Sequence, residues 1–254
     1  MSDTIVIVGG AGGIGSSIVK KYAEEGHNVI IGDIDADSAE DLASKYDSVR
    51  FFPVDVRNYD SASEDLSIVD FRKMVEKEAG PVTHLISLAG FSLPDEGKGL
   101  AGSSGKTIDD SIDLNLKSHL YLLKEFAPSI YSSGSDNRSV VLVSSINAIQ
   151  DYSGPAYSAA KAGLLGVVNS TVMELGERGV RINAVLPGTT ITKRTEDETP
   201  DYKKLVKGTA LKRLTTPEEV AETVYAITHL MTCVTGQGII ADCGQTKVSA
   251  TRIL

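Results

Sequence analysis

Cysteine is scarce. Cys233 and Cys243 are the two in 254 residues, and without a CxxC pair they offer neither a disulfide framework nor a redox motif, so both are read as reduced. The four histidines, His27, His84, His119 and His229, stand singly along the chain, so no metal-ligand spacing is visible and no metal is expected. No apolar run approaches the ~20 residues of a membrane helix. Met1-Ser2-Asp3 leads straight into a β-type run rather than a signal peptide, and a cytoplasmic location is the expectation. Basic charge is also in deficit. The 25 Lys and Arg against 34 Asp and Glu leave a net charge of −9, which repels phosphate backbones and anionic bilayers. Neither nucleic acid nor membrane is expected as a partner.

What the chain does have is alternation. Apolar β-type runs near Thr4 to Val8, Asn28 to Ile31, Val49 to Phe52, His84 to Leu88, Val140 to Ser144, Arg181 to Leu186 and Gly238 to Ala241 are separated by helical patterns. Near-continuous apolar strands alternating with helices predict α/β architecture, a doubly wound Rossmann-type parallel sheet of about seven strands with helices on both faces. One domain over residues 1–254 is expected. Two stretches break the rhythm on the side where such sheets bind ligands: Phe91 to Lys106, rich in Gly and Ser, and Thr189 to Arg213, polar and charged. Both are candidate substrate loops. In the second, Lys193, Arg194, Lys203, Lys204, Lys207, Lys212 and Arg213 suit an acidic substrate, although Glu196, Asp197, Glu198 and Asp201 among them suit a solvated lid helix equally.

The first strand runs into Gly9-Gly10-Ala11-Gly12-Gly13-Ile14-Gly15 and then a helix. Glycines there permit a tight turn and let backbone amides approach a pyrophosphate at the helix N-terminus. Two registers fit, Gly10, Gly12 and Gly15 as G-x-G-x-x-G, or Gly9, Gly13 and Gly15 as G-x-x-x-G-x-G. Asp33 ends the second strand 18 residues after Gly15 (33 − 15), close to the ~20 expected of an acid that binds an adenosine ribose hydroxyl. Asp35 and Asp37 are read as turn and cap residues.

Tyr157 is the one tyrosine of nine with a Lys four positions later. On a helix that spacing places a phenol and an ammonium on one face. Holding a Tyr half ionised near neutrality takes about 4 kcal/mol, which one unit charge at about 4 Å supplies at an effective dielectric of about 20. Upstream, Val140 to Ser145 is an apolar run ending in two hydroxyls. Downstream, Arg181 to Gly188 is another strand ending at a Pro-Gly breaker.

With these runs in order, the chain resembles the short-chain dehydrogenase/reductase family, of the compact single-domain type, over nearly its whole length. The family's T-G-x-x-x-G-x-G pattern aligns on Val8-Gly9 through Gly15, including Gly13 and Ile14. Its adenine-side acid motif aligns on Asp55-Val56, and N-N-A-G on Ser87-Leu88-Ala89-Gly90. The catalytic Asn aligns on Asn115, the catalytic Ser on Ser145, and Y-x-x-x-K on Tyr157 and Lys161. The nicotinamide-side turn aligns on Pro187-Gly188-Thr189-Thr190-Ile191-Thr192. Ser145 precedes Tyr157 by 12 residues (157 − 145), one fewer than the family more often has, so Ser144 is the alternative hydroxyl. Val8, Ser87 and Leu88 depart from the pattern, so the bonds that brace the sheet there must be met differently. Cys243 stands where Gly is usual.

The resemblance implies an NAD(H)-dependent oxidoreductase that interconverts a secondary alcohol and its ketone. Tyr157 is the acid/base, Lys161 lowers its pKa and holds the nicotinamide ribose, Ser145 binds the substrate oxygen, and Asn115 holds a water leading to Lys161. Asp33, with uncharged Gly12 and Ile34 nearby, favours NAD over NADP. The competing readings are an NADPH-dependent ketoacyl-type reductase, a non-catalytic dinucleotide sensor and a sugar-nucleotide epimerase. The last needs a longer C-terminal domain than the 66 residues (254 − 188) beyond Gly188. A homo-oligomer, dimer or tetramer, is expected because the helix from Tyr157 to Arg178 is apolar around much of its circumference.

Overall fold

The computed structural model describes residues 2–60, 66–150, 153–193, 195 and 202–248. Of the basic loop residues, Arg194 lies outside these, as does the side chain of Lys203; so do Glu196, Asp197, Glu198 and Asp201.

Seven strands form one parallel sheet, β1 (Thr4–Val8), β2 (Asn28–Asp33), β3 (Val49–Pro53), β4 (His84–Ser87), β5 (Arg138–Val143), β6 (Val180–Pro187) and β7 (Gly238–Ala241). Their spatial order is β3-β2-β1-β4-β5-β6-β7. The strands are Val- and Ile-rich because both faces are covered: β1 is buried throughout, as is β5 from Ser139 onward. One apolar layer joins Phe71, Leu122, Phe126 and Leu164 to the sheet, and the other joins Ile18, Val19, Tyr22, Val220 and Val224 to the opposite face. The doubly wound expectation holds, with strand limits moved by one or two residues.

The order reverses between β1 and β4, which diverge from one another into β2 and β5. At such a switch point the loops leave the carboxyl ends of adjacent strands in opposite directions and open a crevice. Helices α1 (Gly13–Glu24), α2 (Ala36–Ala43), α3 (Ile68–Ala79), α4 (Gly105–Ile112), α5 (Ser118–Ser132) and α6 (Pro155–Glu177) flank the sheet. Between α4 and α5, Asp113–Lys117 forms a single π turn, a local widening that recurs at functional sites. Asp35 caps α2, its carboxylate accepting from Ser38 N at 3.2 Å. The charged second loop contains a short helix, Tyr202–Lys207. Past it, Arg213 is held by Glu219 at 2.6 Å rather than facing a ligand. Among the described residues, no helix is long and apolar enough to cross a membrane.

Candidate active site

A crevice of ≈ 1090 Å³ lies along the carboxyl ends of the strands, and every residue singled out in the sequence for cofactor or catalysis lines it except Gly10, Ile191 and the fully buried Asn115. Its first half is built by the glycines. Gly9 has φ +88, and a Cβ there would stand 2.7 Å from Ala89 N. A Cβ on Gly15 would stand 2.1 Å from Gly9 O, and one on Gly13 would stand 2.8 Å from Thr192 Cγ2. Gly12 meets only Gly9 O, at 3.6 Å, an ordinary contact. Backbone thus excludes a side chain at Gly9 and Gly15, Thr192 would have to move for one at Gly13, and Gly10 is tight while Gly12 has room, a pattern that favours the second register. Gly13 also lets Thr192 close over the turn, joining two motifs far apart in sequence.

The Asp33 carboxylate accepts from Ala11 N at 2.9 Å and from Asp35 N at 3.1 Å. The end of β2 is thereby tied to the glycine turn, with the acid on the crevice wall. Ile34 beside it is 60% exposed. Asp55 forms a two-pronged pair with Arg57, Nε to Oδ1 at 3.0 Å and Nη2 to Oδ2 at 2.8 Å. That guanidinium holds the carboxyl below its ordinary range.

The second half is built from buried polar side chains. Gly90, with φ +137, comes so close to Asn115 that a Cβ would stand 2.4 Å from Oδ1. Asn115 Nδ2 donates to Phe91 O and Ser111 O, both at 3.0 Å. Its Oδ1 is buried with no hydrogen-bond partner. One residue that sequence reasoning missed, His119, meets the brace expected at Ser87. His119 bridges Ser87 Oγ at 2.7 Å and Ala89 O at 3.0 Å. Burial, with the charge of Lys161 second, pushes that imidazole well below its ordinary pKa. A neutral ring matches one N–H for Ala89 and one lone pair for the Ser87 hydroxyl.

Ser144 and Ser145 are distinguished by their partners. Ser144 Oγ donates to Lys161 O at 2.8 Å and is committed to the α6 backbone. Ser145 Oγ accepts from Asn147 N at 3.2 Å and from Asn147 Nδ2 at 3.0 Å. Its own hydrogen remains available for a ligand oxygen.

Helix α6 starts at Gly154 and Pro155, so its cap has no side chain to satisfy the first N–H groups. Glu96 does so instead, with Oε2 accepting from Tyr157 N at 2.7 Å and Oε1 from Leu93 N at 3.2 Å. This carboxylate is only 1% exposed, and the helix N-terminus favours its charge. Glu96 belongs to the Phe91 to Lys106 stretch, whose first three residues line the crevice. That loop is thus fastened to the helix bearing Tyr157.

Lys161 Nζ lies 5.6 Å from the Tyr157 ring centre and donates to Val143 O at 3.1 Å. The residue is 2% exposed, and burial lowers its ammonium pKa to about 7. Downstream, Gly188 N donates to Ala241 O at 2.9 Å. Thr190 Oγ1 donates to Gly188 O at 3.0 Å, which shapes the Pro187 to Thr192 turn.

A parallel sheet with this order, a side-chain-free turn at its first crossover and a Tyr-Lys pair at its centre defines a dinucleotide-dependent oxidoreductase class. Comparison with known proteins agrees. The family model described as enoyl-(acyl carrier protein) reductase matches residues 9–246. The 7alpha-hydroxysteroid dehydrogenase of Bacteroides fragilis is 30% identical over 247 residues, 95% of this chain and 93% of that protein. The L-rhamnose 1-dehydrogenase (NADP(+)) of Thermoplasma acidophilum is 27% identical over 248 residues, 94% of each. A short-chain dehydrogenase/reductase family oxidoreductase from Burkholderia thailandensis superposes with a TM-score of 0.86 at 24% identity, covering 99% of this chain and 95% of that one. The chain belongs to the short-chain dehydrogenase/reductase family, and is an oxidoreductase of the kind that binds a nicotinamide dinucleotide.

Proposed function

We propose that this protein is an NAD(H)-dependent oxidoreductase that interconverts a secondary alcohol and its ketone, with Tyr157 as the acid/base. The observation carrying this reading is the convergence of Ser145, Tyr157 and Lys161 on one crevice with Asp33 at its far end. The volume of ≈ 1090 Å³ is at the upper limit of the ~300–1,000 Å³ of ordinary small-ligand sites, in keeping with a dinucleotide and a substrate side by side.

The residues present fit such a cofactor, because the cradle at Gly9, Gly13 and Gly15 is closed to any side chain. Backbone amides of that turn and the α1 N-terminus take the pyrophosphate. Asp33 takes the adenosine ribose, Asp55 and Val56 flank the adenine, and Ala89, Gly90, Ile14 and the Pro187 to Thr192 turn enclose the remainder. A bound nicotinamide supplies or accepts the hydride. Tyr157 Oη gives a proton to the ketone oxygen, or takes one from the alcohol. Ser145 donates its hydroxyl hydrogen to that same oxygen, because Asn147 already occupies its lone pairs. Lys161, when charged, favours the tyrosinate and reaches toward the nicotinamide ribose.

The preference for NAD(H) rests on charge. Asp33 accepts a bond from a free 2′-hydroxyl and repels a 2′-phosphate. Arg57 lines the same end, and its charge is already neutralised by Asp55. Measuring kcat/KM with both cofactors tests this. NAD(H) is expected to win, and Asp33→Ala with Ile34→Arg to reverse the order by about tenfold or more, about 1.4 kcal/mol per decade. Equal use of NADP(H) by the unaltered protein removes the role given to Asp33. The two curated relatives act on a hydroxysteroid and on a sugar at almost the same identity, so the substrate reading stays at the level of a secondary alcohol. Assembly as a cytoplasmic homo-oligomer completes the proposal. Helix α6 is apolar without a single sheet-facing stripe and leaves Met173 exposed. Sedimentation at micromolar concentration distinguishes this from a monomer.

A further inference from the structure

Three of the four histidines, isolated in sequence, meet at the amino ends of the strands, on the side of the sheet opposite the crevice. Asp3 precedes β1, His27 precedes β2, His84 opens β4, and His229 lies in the π turn Ala226–Leu230 that follows the helix Pro217–Tyr225. One carboxylate oxygen stands at their centre. Asp3 Oδ2 is 3.3 Å from His229 Nε2, 3.7 Å from His84 Nε2 and 3.8 Å from His27 Nδ1.

The hydrogen bonds around the cluster allow tautomers in which these nitrogens are lone pairs. A backbone N–H can only donate, so Asp3 N makes His27 Nδ1 the acceptor in their 3.4 Å contact. Thr228 Oγ1 donates to the Val224 or Tyr225 carbonyl, both at 3.1 Å. In the tautomer in which it accepts from His229 Nδ1, 2.7 Å away, Nε2 carries no hydrogen; in the other, His229 Nε2 donates to Asp3 Oδ2 at 3.3 Å. The corresponding tautomer at His84 gives its Nδ1 hydrogen to Ser139 Oγ at 2.7 Å, and its buried Nε2 has no hydrogen-bond partner. With both rings in that form, three imidazole nitrogens and one carboxylate oxygen offer lone pairs to a common point, the donor set a cation takes.

We infer that Asp3, His27, His84 and His229 form a binding site for a divalent transition metal, with Zn²⁺ the best match. Tetrahedral zinc with ligands at about 2.0–2.1 Å holds them about 3.3 Å apart, and the three distances to Asp3 Oδ2 lie within about half an ångström of that. The ligand atoms of Asp3, His27 and His229 all lie within 4.8 Å of one another, and His84 joins this trio through its 3.7 Å approach to Asp3 Oδ2; closure of the side chains onto a metal replaces the long Asp3 N contact. Three imidazoles and a carboxylate suit zinc rather than calcium or magnesium. Donation of the second ring N–H by His229 and His84 to hydroxyls is the support that metal-bound imidazoles usually have.

The charge state agrees. Burial holds all three rings below their ordinary pKa, His229 down to about 4, so they are neutral ligands at neutral pH without a proton to displace. Burial works to raise the Asp3 carboxyl, while hydrogen bonding and charge from His84 and His229 lower it and prevail, an electropositive role at this carboxylate that a metal ion would take over. The opposing charge nearby is Arg181, whose guanidinium is engaged by Ile227 O, Thr228 O and Asn137 Oδ1. Tyr22 and Tyr225 pack their rings against His229 and close the cluster on its other sides. A metal here would join the starts of β1, β2 and β4 to the C-terminal helix without touching the crevice.

The test titrates the chelator-treated full chain with Zn²⁺, and separately with Co²⁺, in a Cys233→Ser background that removes the exposed thiol. Binding of one equivalent is expected, with the visible bands of tetrahedral Co²⁺, a Zn²⁺-dependent rise in the thermal midpoint that a chelator reverses, and unchanged dinucleotide affinity. His27→Gln with His229→Gln should weaken binding by more than the ~10–100-fold that loss of a supporting hydrogen bond costs. Independently of any variant, Zn²⁺ should protect His27 and His229 from diethyl pyrocarbonate, read by mass spectrometry. Absence of stoichiometric binding, an octahedral Co²⁺ spectrum, or unprotected His27 and His229 under saturating Zn²⁺ overturns the assignment and leaves the cluster as an aromatic closure of the sheet.

Discussion

The two halves of the crevice are made by opposite means. Between β1 and β3 the site is shaped by what is missing: at Gly9, Gly13 and Gly15 a single added carbon would collide with backbone or Thr192, and the recognising acids stand at the wall in reach of solvent. Between β4 and β6 it is shaped by polar side chains placed where water is excluded, among them Lys161, Asn115, His119 and Glu96. The first half binds by fit, and costs little to fold. The second carries the groups proposed to react, and each of its buried polar atoms must find a partner or be held at a cost. Substitutions in the two halves should therefore be separable, with the cofactor half moving affinity and the catalytic half moving turnover, pH dependence and stability.

The largest expected effect tests that separation directly. Tyr157→Phe keeps the ring and removes the hydroxyl, so turnover should fall by the ~10²–10⁴ that acid–base catalysis contributes. Dinucleotide affinity, followed by fluorescence titration, should remain within about threefold, less than the ~1.4 kcal/mol of one decade. Parallel loss of affinity and turnover would dissolve the distinction between the halves.

Lys161 gives the next effect, and its sign runs against intuition. The folded-state pKa of about 7 lies below the ordinary 10.5, so between those values the unfolded chain binds the extra proton and stability rises with pH. The burial penalty is complete below about pH 7 and fades as pH climbs toward 10.5. Lys161→Met should thus stabilise the cofactor-free protein by as much as about 4 kcal/mol at pH 6, and by progressively less above pH 8. It should at the same time abolish most turnover and move the rising limb of alcohol oxidation toward the ordinary phenol value of about 10. Denaturant unfolding at several pH values checks the first part, and a pH–rate profile the second. A uniform loss of stability at every pH would mean that the aliphatic stem, not the charge, decides.

Glu96 lies on the border of the comparison, in a loop expected from its composition to select substrate, yet bonded to Tyr157 N. Glu96→Gln keeps one carbonyl oxygen for two backbone donors and loses the charge favoured at the α6 N-terminus. Hydrogen bonds to charged groups are worth about 1.5–3 kcal/mol, and stability should fall within that range. Turnover should fall for every substrate alike, because the helix carrying Tyr157 loses its cap. If only substrate preference changes, Phe91, Ser92 and Leu93 act independently of this fastening.

How much of this was legible beforehand follows the same division. Periodicity gave the strands, since a buried parallel strand must be apolar along its length, and the glycines and Asp33 were readable because shape restrictions leave a mark at fixed spacing. Tyr157, Lys161, Ser145 and Asn115 were singled out as candidates by type and order. Their supports were not. Nothing in the sequence around Glu96 points to a helix cap 61 residues away, and His119 carries no signal beyond the absence of the usual asparagines at Ser87 and Leu88. Ser144 and Ser145 differ in their partners, Lys161 O and Asn147, which adjacent hydroxyls in a sequence do not show. The cluster of His27, His84 and His229 escaped for the same reason, since ligands drawn from the starts of separate strands keep no fixed spacing.

The smallest effect lies at the edge of the catalytic half, where one residue violates the economy of the glycine half. Cys243 follows β7 with φ +50, a left-handed conformation that costs an L-residue about 1–2 kcal/mol. Its carbonyl accepts from Leu211 N at 3.1 Å, and Asp242 caps the next turn through Gly244 N and Thr246 N at 2.8 and 2.7 Å. The backbone is thus fixed from both sides, and the residue cannot relax to negative φ. Cys243→Gly relieves the strain but makes the unfolded chain freer, which returns about half of the gain. It also gives up the 3.6 Å contact between Thr215 Oγ1 and Cys243 Sγ. A net stabilisation of about 0.5–1 kcal/mol is expected, or about 1–4 °C in the thermal midpoint of a chain this size. Cys243→Ser retains the Cβ and so the strain, and should show no gain. If both variants lose stability equally, the sulfur contact outweighs the backbone, and the thiol has a packing role that the conformation alone conceals.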